Sequence, residues 1–260
     1  MNIQRLTKKG NHYFIDEKTK VVFGTRTHSF CTKTDLHNTM EFSHGMTFGA
    51  SGEHRDHRSG GMIHRDLYQQ FYDIFIGKLG EIAFYNAHKN HPAVMSISDI
   101  DYDRYGLGIW DNTDFILNQQ YHIAVKTTKH FGNLLLLEAK DWKIKGEDAL
   151  YIPNIKNNVP SSGRYDRLYF CRVKVNIEKL IPPNSINAPS NINHFKVMIP
   201  RIQTNLEIVG YILNKQLKFI MENDFLLPQG ALLNGRTVMD ADNYYLQSVF
   251  FKEIQTATII

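Results

Sequence analysis

The sequence predicts an α/β protein in which a mixed central β-sheet is flanked by helices, with N- and C-terminal elaborations. Three patterns support this prediction. Residues 113–128 form two short apolar runs around a polar break, which is typical of a β-hairpin. Residues 63–88 repeat apolar side chains at helical spacing, and residues 165–177 alternate as in a strand. A chain of 260 residues fits one large domain or a core with an added lobe.

Composition limits the class of protein. At 42% hydrophobic and 12% aromatic residues the chain can bury a core, so it is not a disordered protein. A net charge of +4 mildly favours an anionic partner. Cys31 and Cys171 are the only cysteines and lie far apart, which does not indicate a disulfide framework. The lack of a disulfide framework favours a reducing cytoplasm. No apolar run reaches the roughly 18 residues of a membrane span, so we expect no membrane contact.

The N-terminal region, residues 1–65, is predicted to be irregular and rich in loops apart from one hairpin. The hairpin would pair Tyr13–Ile15 with Val21–Phe23 around a charged turn. Cys31 could also form a zinc site with later histidines of this region, namely His44, His54, His57 or His64. However, no spacing among these residues matches a structural zinc signature.

The densest polar stretch of this region is predicted to contact DNA. It contains His54, Arg55, His57 and Arg58, followed by a Gly-Gly pair. These side chains are good donors to phosphate oxygens and to guanine edges, and glycine lets the backbone approach a ligand closely. The alternative is a solvated loop, because charged donors are common on loops.

A helix is predicted from about Ile63 to His88. Glu81 lies seven positions after Ile74, which places it on the apolar stripe of this helix. A carboxylate on such a stripe is rarely left without a partner, so Glu81 is a candidate site residue. The alternative is a helix-surface pair with Lys78 or Tyr85. Gly77 and Gly80, which flank Glu81, are expected to let the helix pack tightly on a sheet.

The predicted hairpin brings a carboxylate and an ammonium group to its open end. With the turn centred near Gln119, Asp114 lies opposite Ala124. Because side chains alternate between the two faces, Asp114, Ala124 and Lys126 share one face. The other face is apolar and is expected to face the core. A surface ion pair at the sheet end is the simplest alternative, since exposed pairs are common and weak.

The order Asp, hairpin, Val-Lys-Thr-Thr resembles the core of the PD-(D/E)XK nuclease superfamily, whose largest group is the type II restriction endonucleases. In that family one strand begins with Asp and the next carries acid-x-Lys. The acids hold Mg²⁺ and the lysine orients the attacking water. The matching residues here are Asp114 and Lys126. The run Gly-Lys-Leu-Gly-Glu-Ile-Ala-Phe resembles the helix before the family's catalytic hairpin, which implies that Glu81 joins Asp114 at the metal.

The resemblance covers about residues 66–175 and implies a function. It implies a Mg²⁺-dependent, sequence-specific endonuclease for double-stranded DNA, with a catalytic core at 66–180 and a β-rich elaboration of the same domain at 181–260. Cutting a palindromic duplex site would suit a two-fold symmetric homodimer. Lys129, in the basic turn after the hairpin, is expected to contact DNA. The rival functions are a DNA-binding module without catalysis and a nuclease for repair or RNA processing.

Position 124 departs from the family, because Ala124 stands where the second acid is expected. Three explanations are open: Glu81, Asp111 or Glu138 supplies the acid, the protein is naturally inactive, or an acid was replaced by alanine through engineering. Glu138-Ala139-Lys140 is itself an acid-x-Lys match and is the rival position for the catalytic strand. Lys126 is preferred because its strand pairs locally with a strand that carries Asp.

Further strands are predicted after the hairpin, at Leu134–Leu137, Leu206–Leu213 and Tyr244–Phe251. The alternation in Tyr165–Ile177 predicts a half-exposed strand with a basic outer face, in which Cys171 is a small buried hydrophobe. Residues 182–193 are predicted to be a loop.

Overall fold

The computed structural model describes residues 3–49, 66–103, 113–152, 163–181 and 191–254. It confirms a mixed α/β protein with a central five-stranded sheet packed against helices. The helices of the described residues are α1 (Lys33–Phe48), α2 (Leu67–His88), α3 (Ile177–Leu180), α4 (Ile192–Lys196) and α5 (Asn214–Glu222). The strands are β1 (Thr7–Lys9), β2 (His12–Phe14), β3 (Thr27–Ser29), β4 (Phe115–Leu117), β5 (Tyr121–Lys129), β6 (Leu134–Glu138), β7 (Trp142–Lys145), β8 (Asp148–Tyr151), β9 (Arg167–Val175), β10 (Thr204–Leu213), β11 (Leu226–Leu227), β12 (Leu232–Leu233), β13 (Thr237–Val238) and β14 (Asn243–Gln247).

The central sheet has the strand order β3-β10-β9-β5-β4. Strands β5 and β9 are parallel, whereas the other neighbours are antiparallel. Its strands come from all three segments of the chain, 1–65, 66–180 and 181–260. Strands β11, β14 and β6 form a second sheet, and β7 and β8 pair with each other as a separate hairpin.

Apolar clusters cover both faces of the central sheet. Ile123 and Val125 belong to the cluster that includes α2, whereas Ala124 between them belongs to the cluster that includes α5. This alternation follows from the two-residue period of a strand. A sheet buried on both faces places its polar chemistry at strand ends and edges.

The basic outer face predicted for residues 165–177 is wrong for the main part of β9. This strand lies between β10 and β5, and Arg172 is fully buried. Its guanidinium pairs with the buried carboxylate of Glu207, with Nη2 2.6 Å from Oε2. The alternation in the sequence reflects two different buried environments. Cys171 is buried and free, as predicted.

Helix α2 crosses β5 at unusually close range. Its N-cap is Asp66, whose Oδ1 accepts a hydrogen bond from Gln69 N at 2.7 Å. A Cβ atom built on Gly80 would lie 1.8 Å from Thr127 Oγ1, whereas one on Gly77 would meet nothing within 4 Å. The tight packing predicted for the two glycines therefore occurs at Gly80 alone.

The N-terminal region differs from its prediction. β2 pairs with β1, and Val21–Phe23 is not a strand, so the predicted hairpin is wrong. Residues 33–48 form α1 instead of a loop. A capping box begins this helix: Thr32 Oγ1 accepts from Asp35 N at 3.1 Å, and Asp35 Oδ2 accepts from Thr32 N at 2.8 Å.

The C-terminal strands are confirmed with changed ends. β10 matches its prediction closely, but β14 stops at Gln247, where a 3₁₀ turn over Ser248–Phe250 follows. Helix α4 begins inside the predicted 182–193 loop, of which residues 182–190 lie outside the described residues. Within the described part of the chain, no helix is both long and apolar enough to cross a membrane.

Candidate active site

The register predicted for the β4–β5 hairpin is confirmed. Phe115 pairs with Ile123 and Leu117 with Tyr121, so Asp114 lies opposite Ala124. Asn118 and Gln119 occupy the left-handed region at φ 51° and 56°, and Gln120 N donates to Leu117 O at 3.1 Å. Two left-handed residues at the centre of a turn give the twist that an antiparallel hairpin prefers.

Asp114 directly precedes β4, at the open end of the hairpin where β5 continues beyond its partner strand. Its backbone N donates to Ile123 O at 3.1 Å, and its Oδ2 accepts from Val125 N at 2.5 Å. The carboxylate thus accepts the hydrogen bond that a backbone carbonyl of β4 would accept if that strand extended as far as Val125. This bond holds the half-buried Asp114 in one orientation at the open end of the hairpin.

Lys126 follows Val125 on β5, and its side chain lies on the same face of the strand as that of Ala124. Its ammonium group is 5.7 Å from the ring centroid of Tyr151 on β8. Among the described residues, this half-buried lysine forms no ion pair with any carboxylate. A cation over an aromatic face without a counter-ion is well placed to bind an anion.

Ala124 is 1% exposed and packs within the cluster that includes Leu168 and Leu217. The side chain of a glutamate at this position would leave the backbone within an apolar cluster. Such packing weighs against a metal ligand having been emptied by replacement with alanine.

Glu81 is paired with Lys78, which was the alternative to a site role. The Nζ–Oε2 distance is 2.6 Å, and the side chains are 8% and 17% exposed. The same ammonium group donates to Asp101 O at 2.6 Å and lies 4.5 Å from the ring centroid of Phe42. The pair is therefore largely buried between α1, α2 and the segment before residue 103, rather than exposed on a helix surface.

A complete Mg²⁺ ligand set is not formed by the described residues. They contain no group of three or more His, Cys, Asp or Glu side chains that could hold a metal ion. Asp114 offers one fixed carboxylate, whereas Glu81 is engaged by Lys78. Asp111, the third candidate ligand, lies outside the described residues. The residues in view therefore do not fit a metal centre by themselves.

The rival acid-x-Lys lies in a different sheet. Glu138 ends β6, which pairs with β14, and Lys140 Nζ is 2.6 Å from Glu138 Oε1. The Glu138 side chain is 2% exposed and that of Lys140 is 58% exposed. Because β6 pairs with neither β4 nor β5, this motif does not share the hairpin of Asp114.

The expected DNA contacts are largely outside the structure. His54, Arg55, His57 and Arg58 lie outside the described residues. Lys129 is described, and its ammonium group is 2.8 Å from Glu178 Oε1 and 4.4 Å from the ring centroid of Tyr72. A phosphate would have to compete with this carboxylate for Lys129.

The zinc alternative gains no support from the described residues. Burial, with a smaller contribution from the Asp35 carboxylate, raises the pKa of Cys31 to about 12. The described residues contain no group of three or more His, Cys, Asp or Glu side chains placed to hold a metal ion. His44 packs against the rings of Phe48 and Phe195 at 4.9 and 5.2 Å between centroids.

Two side chains of this region were not identified from the sequence. Tyr151 lies beneath the Lys126 ammonium group, and Thr113 Oγ1 donates to Ile123 O at 2.8 Å at the hairpin end. Thr113 has a local signal, since it directly precedes the first strand. Tyr151 has none, because its contact with Lys126 arises only when β8 folds over the sheet.

A scan against protein-family models and searches of curated proteins and of solved structures found no match for this chain.

Proposed function

We propose that this protein is an endonuclease that hydrolyses phosphodiester bonds of double-stranded DNA. The observation that carries the proposal is that two residues share one face of the hairpin: Asp114, held at its open end, and Lys126, a half-buried cation without a carboxylate partner among the described residues. The resemblance to the PD-(D/E)XK superfamily, on these same two residues, supports the assignment to DNA.

The chemistry of the two residues suits hydrolysis of a phosphate diester. The Lys126 ammonium group would bind a non-bridging phosphate oxygen and stabilise the negative charge that develops on it. The carboxylate of Asp114, oriented by the 2.5 Å bond from Val125 N, would accept a hydrogen bond from the attacking water. A site facing a symmetric duplex sequence would place two such chains on the two strands as a homodimer.

The proposal includes dependence on Mg²⁺, and this part is supported by the resemblance to the PD-(D/E)XK superfamily alone. The described residues supply no complete ligand set, so the steps above use only this chain's own side chains.

The second candidate function is binding of DNA without cleavage. Two observations favour it: Ala124 is packed into an apolar cluster, and Glu81 is engaged by Lys78. A binding module would retain Lys126 as an anion contact without any need for a second acid.

Plasmid cleavage with and without Mg²⁺ tests the proposal. We expect discrete fragments with Mg²⁺ and a loss of about 100-fold or more in rate for Asp114→Asn or Lys126→Ala. Lys20→Ala is the matched control, because it removes the same charge at a lysine that is already paired with Glu17 and that has no expected contact with DNA.

Each other outcome has a defined meaning. A smear in place of fragments would indicate a nuclease without sequence preference. A mobility shift without cutting would favour the binding module. Cleavage at the normal rate by either site variant would contradict the roles of Asp114 and Lys126.

A further inference from the structure

Three aromatic rings form a group on the surface where β5 ends. The His130 ring lies between those of Phe23 and Phe131, with centroid distances of 5.7 and 5.3 Å and edge-to-face contacts on both sides. Phe131 is 70% exposed, and so is Val22, which precedes Phe23. Single exposed apolar residues are common, whereas a contiguous group is typical of a binding surface. We call the three rings the aromatic platform.

The aromatic platform lies over the face of the central sheet that carries Lys126. Thr128 on β5 pairs with Arg172 on the parallel strand β9, so these two side chains and that of Lys126 share one face. The Arg172 guanidinium is 5.6 Å from the ring centroid of Phe23. A Cβ atom built on Gly132 would lie 2.6 Å from Thr128 Oγ1, so the turn after β5 folds over the same face. Because Thr128 is about 7 Å along the strand from Lys126, the platform borders the candidate site.

Hydrogen bonds hold both segments of the platform in place. Buried Arg172 donates from Nη1 to Val21 O at 2.7 Å, and Val21 N donates to Asn133 Oδ1 at 2.8 Å. His130 N donates to Val173 O at 2.9 Å, which fixes the start of the turn to β9. Rings that are fixed before binding lose little freedom when a ligand packs on them.

The charges around the platform leave one cation available to a ligand. The cations that act on His130 are Lys129, Arg172 and Lys174. Lys129 and Arg172 are each paired with a carboxylate, whereas Lys174 is exposed and forms no ion pair with the described residues. Burial, followed by the charges of Lys174 and Arg172, lowers the pKa of His130 against the opposing effect of Glu178. The imidazole is therefore neutral at neutral pH and adds an uncharged ring to the platform.

We propose that the aromatic platform stacks on unpaired bases of a DNA strand, with Lys174 at a neighbouring phosphate. This inference rests on the proposed function and adds a substrate class to it, namely a duplex with an unpaired strand beside the phosphate at Lys126. Stacking on a ring requires a free base face, which neighbouring base pairs cover in a continuous duplex. Every base has such a face, so the platform would bind unpaired strands of any sequence.

Binding of a single strand tests the inference. The probe is a fluorescently labelled oligothymidylate, and its binding to the full chain is measured by anisotropy without Mg²⁺ over a series of salt concentrations. We expect Phe131→Ala to weaken binding by about 5- to 150-fold, as for the loss of one stacked base, with an unchanged salt slope. Phe131→Trp should bind at least as tightly as the wild type. Lys174→Ala should instead make the salt slope shallower by about 0.7.

Two controls separate stacking from a general loss of affinity. Phe30→Ala removes another exposed ring, 54% exposed and outside the platform, and should bind like the wild type. The affinity of Phe131→Ala for a blunt duplex should be unchanged, because the base faces of a duplex are covered. An equal loss in Phe30→Ala, an equal loss for the duplex, or unchanged single-strand affinity in Phe131→Ala would each overturn the inference.

The remaining outcomes distinguish this inference from the proposed function. Plasmid cleavage by a wild-type chain that does not bind the oligothymidylate would overturn the platform and leave the nuclease standing. Binding that depends on Phe131, without any cleavage, would support the platform and contradict the nuclease. If the wild-type chain ignores the oligothymidylate but sediments as a dimer that Phe131→Ala dissociates, the surface is a contact between two copies and the inference fails.

Discussion

At the scale of single residues, position 124 is where the resemblance and the packing disagree. Ala124 is 1% exposed among apolar side chains. We expect Ala124→Glu to lower the free energy of unfolding by about 3 kcal/mol, because an ionised carboxylate would be buried without a fixed partner. Urea denaturation without Mg²⁺ measures this change, and Ala124→Gln separates the effect of side-chain volume from that of charge.

A different result at this position would revive the emptied-ligand explanation. That result is a large gain in Mg²⁺-dependent cleavage by Ala124→Glu or Ala124→Asp, together with unchanged stability. It would show that the site needs only its second acid to act.

His88 makes the stability of the protein sensitive to acid. The ring is fully buried, and Nδ1 is 2.7 Å from Phe84 O. Burial lowers its pKa from 6.5 to about 4, with help from the charges of His91 and Arg167 and against the Phe84 hydrogen bond. As the pH falls, His88 is therefore protonated in the unfolded chain before it is protonated in the folded protein. The folding stability that His88 provides is fully present above pH 6.5 and is lost between pH 6.5 and about pH 4.

The expected loss from His88 is about 3 kcal/mol over that interval. His88→Gln, which cannot titrate, should show a correspondingly smaller decrease in unfolding free energy between the two pH values. Denaturant titrations at a series of pH values measure both proteins. Parallel curves for the two would contradict the assignment of the acid sensitivity to His88.

At the scale of elements, the contact between α2 and β5 depends on one missing side chain. Gly80→Ala would place a Cβ atom 1.8 Å from Thr127 Oγ1 and 2.9 Å from Thr127 Cβ. We expect this variant to lower the unfolding free energy by about 1–3 kcal/mol, because the helix must move away from the sheet.

Gly77 offers the control for this contact within the same helix. Since a Cβ atom there meets nothing within 4 Å, Gly77→Ala should stabilise the protein by about 0.5–1 kcal/mol through helix propensity alone. Thermal denaturation followed by circular dichroism compares the two variants. A Gly80→Ala protein as stable as Gly77→Ala would show that α2 does not depend on the close approach.

At the scale of the whole molecule, one buried ion pair joins the N-terminal segment to the central sheet. Arg172 donates to Val21 O at 2.7 Å, and Glu207 Oε1 accepts from Gly24 N and Arg26 N, each at 2.9 Å. The pair therefore links strands β9 and β10 to each other, and both strands to the N-terminal segment that passes over them.

Removal of either partner should be costly. We expect Arg172→Ala or Glu207→Ala to lower the unfolding free energy by about 3–5 kcal/mol, because each leaves a buried charge without a counter-ion. The double variant should lose less than the sum of the two. The exposed pair of Lys20 and Glu17 is the control, where Lys20→Ala should cost under about 1 kcal/mol. Additive losses at Arg172 and Glu207 would contradict a coupled pair.

Local patterns were sufficient for the elements around the candidate site. The register of β4 and β5 follows from a short turn and the alternation of their side chains, so Asp114 was placed opposite Ala124 from the sequence alone. Helix α2 followed from its apolar period, and the structure shows that Asp66 is its N-cap. Helix α1 was missed, although Thr32 and Asp35 carry a capping-box pattern, because its polar residues resemble those of a loop.

By itself, the sequence determined the α/β class, helix α2 and the hairpin that carries Asp114 and Lys126, because each depends on neighbours close along the chain. Only the tertiary structure decided which charges are already paired. Arg172 meets Glu207, Lys129 meets Glu178 and Lys126 meets the ring of Tyr151, all across distant segments. Periodicity shows which face of an element is apolar, but the partner of a buried charge depends on which other strand or helix packs there.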